Sequence, residues 1–264
     1  MGVAFHKLHQ KIKVGDSSLK TIIKESFLTM ILEESHMVYS WFLANYVYAH
    51  IPWFDKKRKH QTFGEIFNDY LTCNLPLVII GAFLEVLVFS KFREEARLKA
   101  PPSKHYQPLL FLVKLAWCRA VTDLVFWIGH YLMHKRENYW IHKRHHEHNK
   151  TKLTTNYHFD SRDLAIEAFI PFILSVATVQ LVNPKLYISR LDQGMLFGYI
   201  LGLEILSHVG KALPVMSILP PFSPLLTYWD DWNVWFHETH HNLLKCNYSI
   251  TPYWDCLFGT AKYV

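Results

Sequence analysis

The sequence predicts an all-α integral membrane helical bundle with three to four transmembrane helices and a histidine-rich cytosolic cap. Half of the 264 residues are hydrophobic and 16% are aromatic, which is high for a soluble domain. Several apolar stretches approach or reach the length of a bilayer-spanning helix. No alternation of apolar and polar residues lasts long enough to predict a sheet.

The N-terminal residues 1–65 are predicted to form a lead-in to the main domain. Residues 1–26 are polar and basic, and residues 27–50 are aromatic-rich, which favours a first membrane helix or an interfacial one. The main domain is predicted over residues 66–264. It opens with residues 66–90, an apolar stretch long enough to cross a bilayer.

Three more apolar segments follow. Residues 108–129 form a second candidate span, which leads directly into His130. Residues 164–182 and 186–207 predict a helical hairpin around Asn183-Pro184. Residues 211–235 are rich in proline and aromatic residues, as expected for an interfacial cap.

The distribution of basic residues predicts the membrane orientation of the chain only in part. The strongly basic stretch 135–152 is predicted to lie in the cytosol. The basic stretches 51–60 and 91–105, however, flank a single candidate span, so both cannot be cytosolic if that span crosses fully. The number and orientation of the spans stay open at this point.

Cysteine usage and the N-terminus bound the cellular context. The four cysteines are far apart and form no C-x-x-C motif, which argues against a disulfide framework or a cysteine-type zinc site and suits a reducing compartment. No charged region followed by an apolar stretch and a cleavage site is seen at the N-terminus, so we expect no removable signal peptide. The formal net charge is +6 with histidine neutral.

Eight histidines form three tight groups in the second half of the chain. Positions i, i+3 and i+4 of a helix share a face, so each group is expected to aim its imidazoles at one point. Neutral imidazole is a good ligand for iron, zinc and copper. Because eight ligands are too many for one ion, the pattern predicts a two-metal centre. The groups are His130 and His134; His142, His145 and His146; and His237, His240 and His241.

Three familiar kinds of histidine-rich protein fit this pattern less well. A zinc protease has the order His-Glu-x-x-His; the segment HETHH fits that order, but it accounts for only two of the eight clustered histidines. A bis-histidine haem needs only two axial ligands. A metal transporter would place its ligands inside the spans rather than at their ends. The scattered histidines are expected to be surface or core residues: His6, His9, His50, His60 and His105.

The three groups and the C-terminus resemble the fatty acid hydroxylase and sterol desaturase superfamily over roughly residues 66–262. The matching motifs are HYLMH from His130, HKRHHEH from His142 and HETHH from His237. Asn247-Tyr248 and the later WDCLFGT resemble the closing signature of that superfamily. His208 resembles its His-x-Gly segment, and the resemblance therefore adds His208 as a ninth metal ligand.

The resemblance implies a non-haem di-iron oxidoreductase, a hydroxylase or desaturase that uses O2. Electrons would come from NAD(P)H through a reductase or cytochrome b5. Such enzymes are multi-pass proteins of the endoplasmic reticulum membrane, with the metal site facing the cytosol. The expected partners are the lipid substrate, membrane lipids and the electron donor, with no nucleic acid.

One segment departs from that superfamily. Many members carry His-Pro-x-Glu after the second histidine group, whereas the comparable region here is NYHFDSRDLAIE. His158 lies near the expected place without the proline and is therefore a possible ligand only. His148 is either a neighbour of the ligands or a solvated residue.

Carboxylates near the histidines are expected to orient them and raise their basicity. The candidates are Asp123, Glu147, Asp160, Glu238 and Asp255. The alternative for each is a surface ion pair or a helix cap. Asp123 also stands four residues after Arg119, a spacing that allows the two to pair on a helix.

The leading functional hypothesis is a lipid oxygenase that acts on a sterol, as a C-4 methyl oxidase or C-5 desaturase. A sphingoid-base, fatty acyl or aldehyde substrate is the alternative within this class. Hydroxylation and desaturation share the first hydrogen abstraction, so the motifs do not separate them. The alternative from another class is a non-catalytic membrane protein that keeps a structural metal site.

Overall fold

The structure is a computed structural model that describes parts of 19–31 and 62–86, then 107–183 except 153, 154 and 157, then 186, 188–208 and 232–262. Most of these residues are helical and none of them forms a strand, which confirms the predicted all-α class for this part of the chain. Most of the predicted helix 27–50, the loops 51–60 and 91–105, and most of the cap 211–235 lie outside the described residues. The division between 1–65 and 66–264 therefore stays a prediction.

Eight α-helices and several shorter helical turns have defined bounds in the described part of the chain, and the described residues within 19–31 and 75–86 are also helical. A π-helical turn, Tyr70–Asn74, follows α1, and another, Ala165–Phe169, joins α4 to α5. A 3-10 turn covers His145–Glu147. The α-helices are α1 Phe63–Asp69, α2 Pro108–Met133, α3 Tyr139–His142, α4 Ser161–Leu164, α5 Ile170–Val182, α6 Arg190–Ser207, α7 Trp232–Leu243 and α8 Pro252–Phe258.

Helix α2 is the central element of this arrangement. Pro108 stands at its first turn, where a missing backbone N–H costs nothing. The predicted segment 108–129 is confirmed as helical, and the helix continues to Met133. His130 therefore stands in the last turn of α2, and His134 caps that helix.

The hydrophobic core lies where α2 packs against the hairpin of α5 and α6. Both helices of the predicted hairpin are present, since α5 ends at Val182 and α6 begins at Arg190, and they are in contact because the rings of Phe172 and Phe197 lie 5.2 Å apart. Lys114 on α2 forms a buried ion pair with Asp192 on α6 at 2.7 Å, so this charge is paired inside the bundle. The buried core residues are Leu115, Cys118, Phe172, Val176, Val179, Ile188, Leu196 and Ile200.

One helical stretch among the described residues, Ser161–Val182, is long and apolar enough to cross a membrane by length and composition. It unites α4, the π-helical turn and α5. Helices α2 and α6 each carry three charged residues or more within their described lengths. The predicted bundle of three to four spans is not established by the described part of the chain and stays a prediction.

Candidate metal centre

The structure brings all nine predicted histidines together in two adjacent groups. Within each group, one ring nitrogen of every histidine lies within 4.8 Å of the others. The groups touch, because the rings of His146 and His241 are only 4.5 Å apart. The five-histidine group is His130, His134, His142, His146 and His240; the four-histidine group is His145, His208, His237 and His241.

The second and third histidine motifs are divided between the two groups, so the expectation that each motif aims at one point is wrong for them. The first motif, His130 and His134, lies within one group as expected. On α7, His237 and His241 serve one group and His240 serves the other. Residues four apart on a helix differ by about 40° in direction, whereas residues three apart differ by about 60° to the other side. The pair at i and i+4 therefore shares one group, and the intervening histidine faces the neighbouring one.

The second histidine motif is also divided between the two groups, although it extends over α3 and a 3-10 turn and not over one continuous helix. His142 ends α3, and His145 and His146 stand in the following 3-10 turn. His142 and His146 join the five-histidine group, while His145 joins the four-histidine group. This segment thus contributes ligand candidates to both groups.

The Nε2 atoms of neighbouring histidines are spaced as metal ligands would be. In the five-histidine group, the Nε2 atoms of His130 and His134, and of His146 and His240, are 3.2 and 3.1 Å apart. In the other group, Nε2 of His145 is 3.3 Å from that of His208. A metal–imidazole bond of about 2.0–2.1 Å gives tetrahedral N–N edges of about 3.3 Å. The two groups are therefore compatible with metal binding.

The Nδ1 atoms of three of these histidines face away from the groups and have their own acceptors. Nδ1 of His130 lies 2.6 Å from the carbonyl oxygen of Tyr248, and Nδ1 of His240 lies 2.7 Å from that of Cys246. Nδ1 of His208 lies 2.9 Å from the carbonyl oxygen of Glu204. An imidazole that donates from Nδ1 keeps its Nε2 lone pair free. These carbonyls therefore fix the tautomer that a metal ion requires.

The imidazoles are neutral at physiological pH because they are buried. Burial lowers the pKa of His134 to about 2 and that of His240 to about 4, and electrostatic repulsion between the His134 and His240 rings adds to the effect at His134. The pKa values of His142, His145 and His241 are lowered for the same reason. Since the Nε2 lone pairs face one another at close range, a bound cation would remove their mutual repulsion.

A C-terminal loop holds the Tyr248 carbonyl against His130, and two of the predicted carboxylates hold that loop. Asp255 accepts hydrogen bonds from the main-chain amides of Tyr248 and Ser249 at 2.8 and 2.7 Å. Asp123 accepts one from the amide of Ile250 at 2.8 Å. Both aspartates therefore act on the loop and not directly on an imidazole.

Asp123 does not form the expected pair with Arg119. Its carboxylate is occupied by the Ile250 and Thr251 amides and the Thr251 hydroxyl. Among the described residues, neither Nη atom of the buried Arg119 has a hydrogen-bond partner. The helical spacing alone was therefore a poor guide to pairing here.

The carboxylates that contact histidines of the two groups are Asp163 and Glu167, neither of which was among the predicted candidates. Both carboxylate oxygens of Asp163 accept from Nδ1 of His142 at 2.9 Å. Oε1 of Glu167 lies 3.6 Å from Nε2 of His130. A signal was present, because an ionisable residue in an apolar span is expected to face the protein interior.

The other candidates have peripheral positions. Glu147 is exposed and pairs with His158 at 2.9 Å, so His158 lies outside both groups. Asp160 caps α4 and binds Arg162. His148 contributes its carbonyl oxygen, which accepts from Nδ1 of His241 at 3.1 Å. Glu238 is buried on α7, and the described contacts assign it no place among the ligands.

Comparisons with known proteins gave one match. Residues 115–260, more than half of the chain, match the model of the fatty acid hydroxylase family. A search of curated proteins and a search of solved structures found no match. The matched range contains all nine histidines of the two groups as well as Asp163 and Glu167.

Proposed function

Because the chain belongs to the fatty acid hydroxylase family, we propose that it is a membrane-bound, O2-dependent lipid monooxygenase or desaturase with a histidine-ligated di-iron centre. The observation that carries this proposal is the convergence of nine histidine side chains into two touching groups whose spacing suits metal–nitrogen bonds. The family supports oxidoreductase chemistry on lipids, and it is typically membrane-associated.

The donor set fits iron. Imidazole is a suitable ligand for iron, and the described donors of both groups are nitrogen atoms. When bound, two iron ions would supply the redox chemistry that an unactivated C–H bond requires and that side-chain acid–base chemistry does not provide. Zinc has no redox chemistry and would not support the reaction.

The protein's contribution is to fix the ligands and exclude water. The nine histidines are buried or nearly so, and His142 and His240 have no exposed surface. The carbonyls of Tyr248, Cys246 and Glu204 hold imidazole orientations through Nδ1. Such a prearranged site lets ions bind without a large change in the surrounding structure.

The lipid is proposed to enter from the bilayer between the helices. Large apolar side chains are exposed on the two helices that lead to the site, with Leu109 and Val113 on α2 and Leu181 and Val182 on α5. An exposed apolar surface of this kind suits contact with lipid. We place the protein in the endoplasmic reticulum membrane with its metal site facing the cytosol, where NAD(P)H through a reductase or cytochrome b5 would supply electrons.

The leading substrate class is a sterol, and a sphingoid base or a fatty acyl chain or aldehyde is the alternative. In hydroxylation, the lipid, O2, two electrons and two protons yield the hydroxylated lipid and one water. Lipid profiling of cells with and without the chain under 18O2 separates the substrate classes. Sterol products that gain 18O or a new double bond support the leading assignment, whereas the same changes in sphingoid or acyl products replace it; both signs are needed because desaturation places both oxygen atoms in water.

The proposal is tested with protein purified anaerobically, loaded with Fe²⁺ and placed in nanodiscs with a lipid extract. We expect two irons per chain and NAD(P)H-dependent O2 uptake once a reductase is added. His145→Ala should abolish O2 uptake and lower the iron content, whereas the scattered-histidine control His6→Ala should do neither. Full turnover by His145→Ala would show that the ligand assignment is wrong, and bound metal without O2 uptake would favour a non-catalytic metalloprotein.

A further inference from the structure

A buried glutamate, Glu167, lies beside the five-histidine group, and one of its carboxylate oxygens accepts no hydrogen bond from the described residues. The Glu167 side chain is 2% exposed, and among the described residues its Oε1 has no hydrogen-bond partner. That oxygen lies 3.6 Å from Nε2 of His130 and 3.6 Å from Nδ1 of His142. A buried carboxylate oxygen with no donor is costly and needs a compensating partner.

The backbone conformation around Glu167 places its side chain beside the five-histidine group. Glu167 stands in the middle of the π-helical turn Ala165–Phe169, between the α-helical segments α4 and α5. Such turns insert an extra residue into a helix and are frequent at functional sites. Gly129, next to His130, permits the approach: a Cβ there would stand 2.5 Å from Cγ2 of Ile166.

The neighbouring Asp163 carboxylate raises the energetic cost of a negative charge on Glu167. Ligand atoms of His142, Asp163 and Glu167 all lie within 4.8 Å of one another, and the three residues are buried. Two carboxylates this close in a buried site disfavour each other's charge. A cation in the adjacent histidine group would offset that repulsion and would itself be stabilised by both groups.

The two histidine groups differ in this respect. Asp163 and Glu167 contact His142 and His130, which are members of the five-histidine group. The Nδ1 partners described for the four-histidine group are uncharged. Nδ1 of His208 faces the carbonyl oxygen of Glu204 and the Ser207 hydroxyl, and Nδ1 of His241 faces the carbonyl oxygen of His148. Neutral imidazoles leave a divalent cation's charge uncompensated, so the group beside the carboxylates is the more favourable for the first cation.

We propose that Glu167 is a positioning residue that makes the five-histidine group the tighter of two unequal metal sites. The proposal rests on the proposed function, because it requires both groups to bind metal. The carboxylate acts from beside the ligands, through its charge and its contact with His130. It should therefore affect the first binding step far more than the second.

The test is a Co²⁺ titration of the metal-free full-length protein in detergent, followed by visible absorption and calorimetry. Wild type should show two steps, with His134→Ala weakening mainly the tighter step and His208→Ala mainly the weaker one. Glu167→Gln keeps the shape and removes the charge; it should weaken the tighter step about 10–100-fold and leave the weaker step unchanged. Glu167→Asp keeps the charge but has a shorter side chain, so its affinity in the tighter step should lie between those of wild type and Glu167→Gln.

Exposed Glu137 provides the matched control, since Glu137→Gln should leave both steps unchanged. The melting temperature of metal-free Glu167→Gln should equal or exceed that of wild type, which separates loss of charge compensation from misfolding. Two steps in wild type with an unaltered isotherm in Glu167→Gln, or equal weakening of both steps, would overturn the inference and leave the proposed function standing. No Co²⁺ binding by wild type would overturn both.

Discussion

Replacement of Asp255 by alanine should destabilise the protein severely, although this residue touches no candidate ligand. Asp255 is fully buried and accepts the amides of Tyr248 and Ser249 at 2.8 and 2.7 Å. Hydrogen bonds to a charged group contribute about 1.5–3 kcal/mol each, so losing these two costs about 3–6 kcal/mol. That is a large part of the ~5–15 kcal/mol by which a typical domain is stable.

The assay is equilibrium denaturation of the metal-free protein in detergent micelles, followed by far-ultraviolet circular dichroism. Asp160→Ala is the matched control, because Asp160 is a partly exposed helix cap whose loss costs about 1 kcal/mol. Asp255→Ala should also weaken metal binding by the five-histidine group, since the loop carries the Tyr248 carbonyl that accepts from His130. A loss of less than about 1 kcal/mol in Asp255→Ala would refute the role given to this loop.

Three further predictions concern the site. Asp163→Asn should lower metal affinity about 10–100-fold, measured by competition with a chelator, because it removes the charge that holds Nδ1 of His142; unchanged affinity would contradict this. Gly129→Ala should cost about 1–3 kcal/mol in denaturation by forcing Ile166 away, and a neutral effect would show that the π-helical turn has room to move. The metal-free protein should lose stability as pH falls below about 6.5. Burial lowers the pKa values of His134 and His240 in the folded protein, so in this pH range the unfolded chain binds protons that the folded protein does not bind. Each such histidine contributes a slope of at most about 1.4 kcal/mol per pH unit, and flat stability between pH 7.5 and 5 would contradict the burial argument.

The sequence was sufficient for the helical class and for the identity of the clustered histidines. Apolar segments with the spacing of helices predicted α2 and the hairpin of α5 and α6, and the structure has both. Eight of the nine histidines were selected by spacing, and His208 was added by resemblance to the family. Local patterns of this kind are visible in one dimension because helix geometry repeats every few residues.

The division of the histidines between two groups was not predictable from spacing alone. It depends on how α7, α3 and the 3-10 turn are oriented around α2, which is a property of tertiary packing. His240 and His237 are three residues apart and serve different groups. A motif therefore identifies ligand candidates without showing which ion each one would bind.

The carboxylates show where prediction from sequence was wrong. Asp123 and Asp255 were expected near the imidazoles and instead bind main-chain amides of the C-terminal loop. Asp163 and Glu167 were not predicted, because their segment follows no His-Pro-x-Glu pattern. Their place in an apolar helical stretch indicates that they face the interior but does not show which histidines they contact. The π-helical turn that presents Glu167 leaves no recognised mark in the sequence.

X-ray absorption at the iron K-edge of the protein loaded with two equivalents of Fe²⁺ tests the central claim most directly. The structure predicts a nitrogen and oxygen environment with the outer-shell scattering of four to five imidazoles per iron, averaged over the five- and four-histidine groups. Sulfur scatterers, or an average of fewer than three imidazoles per iron, would contradict the assignment of these nine histidines to two metal ions.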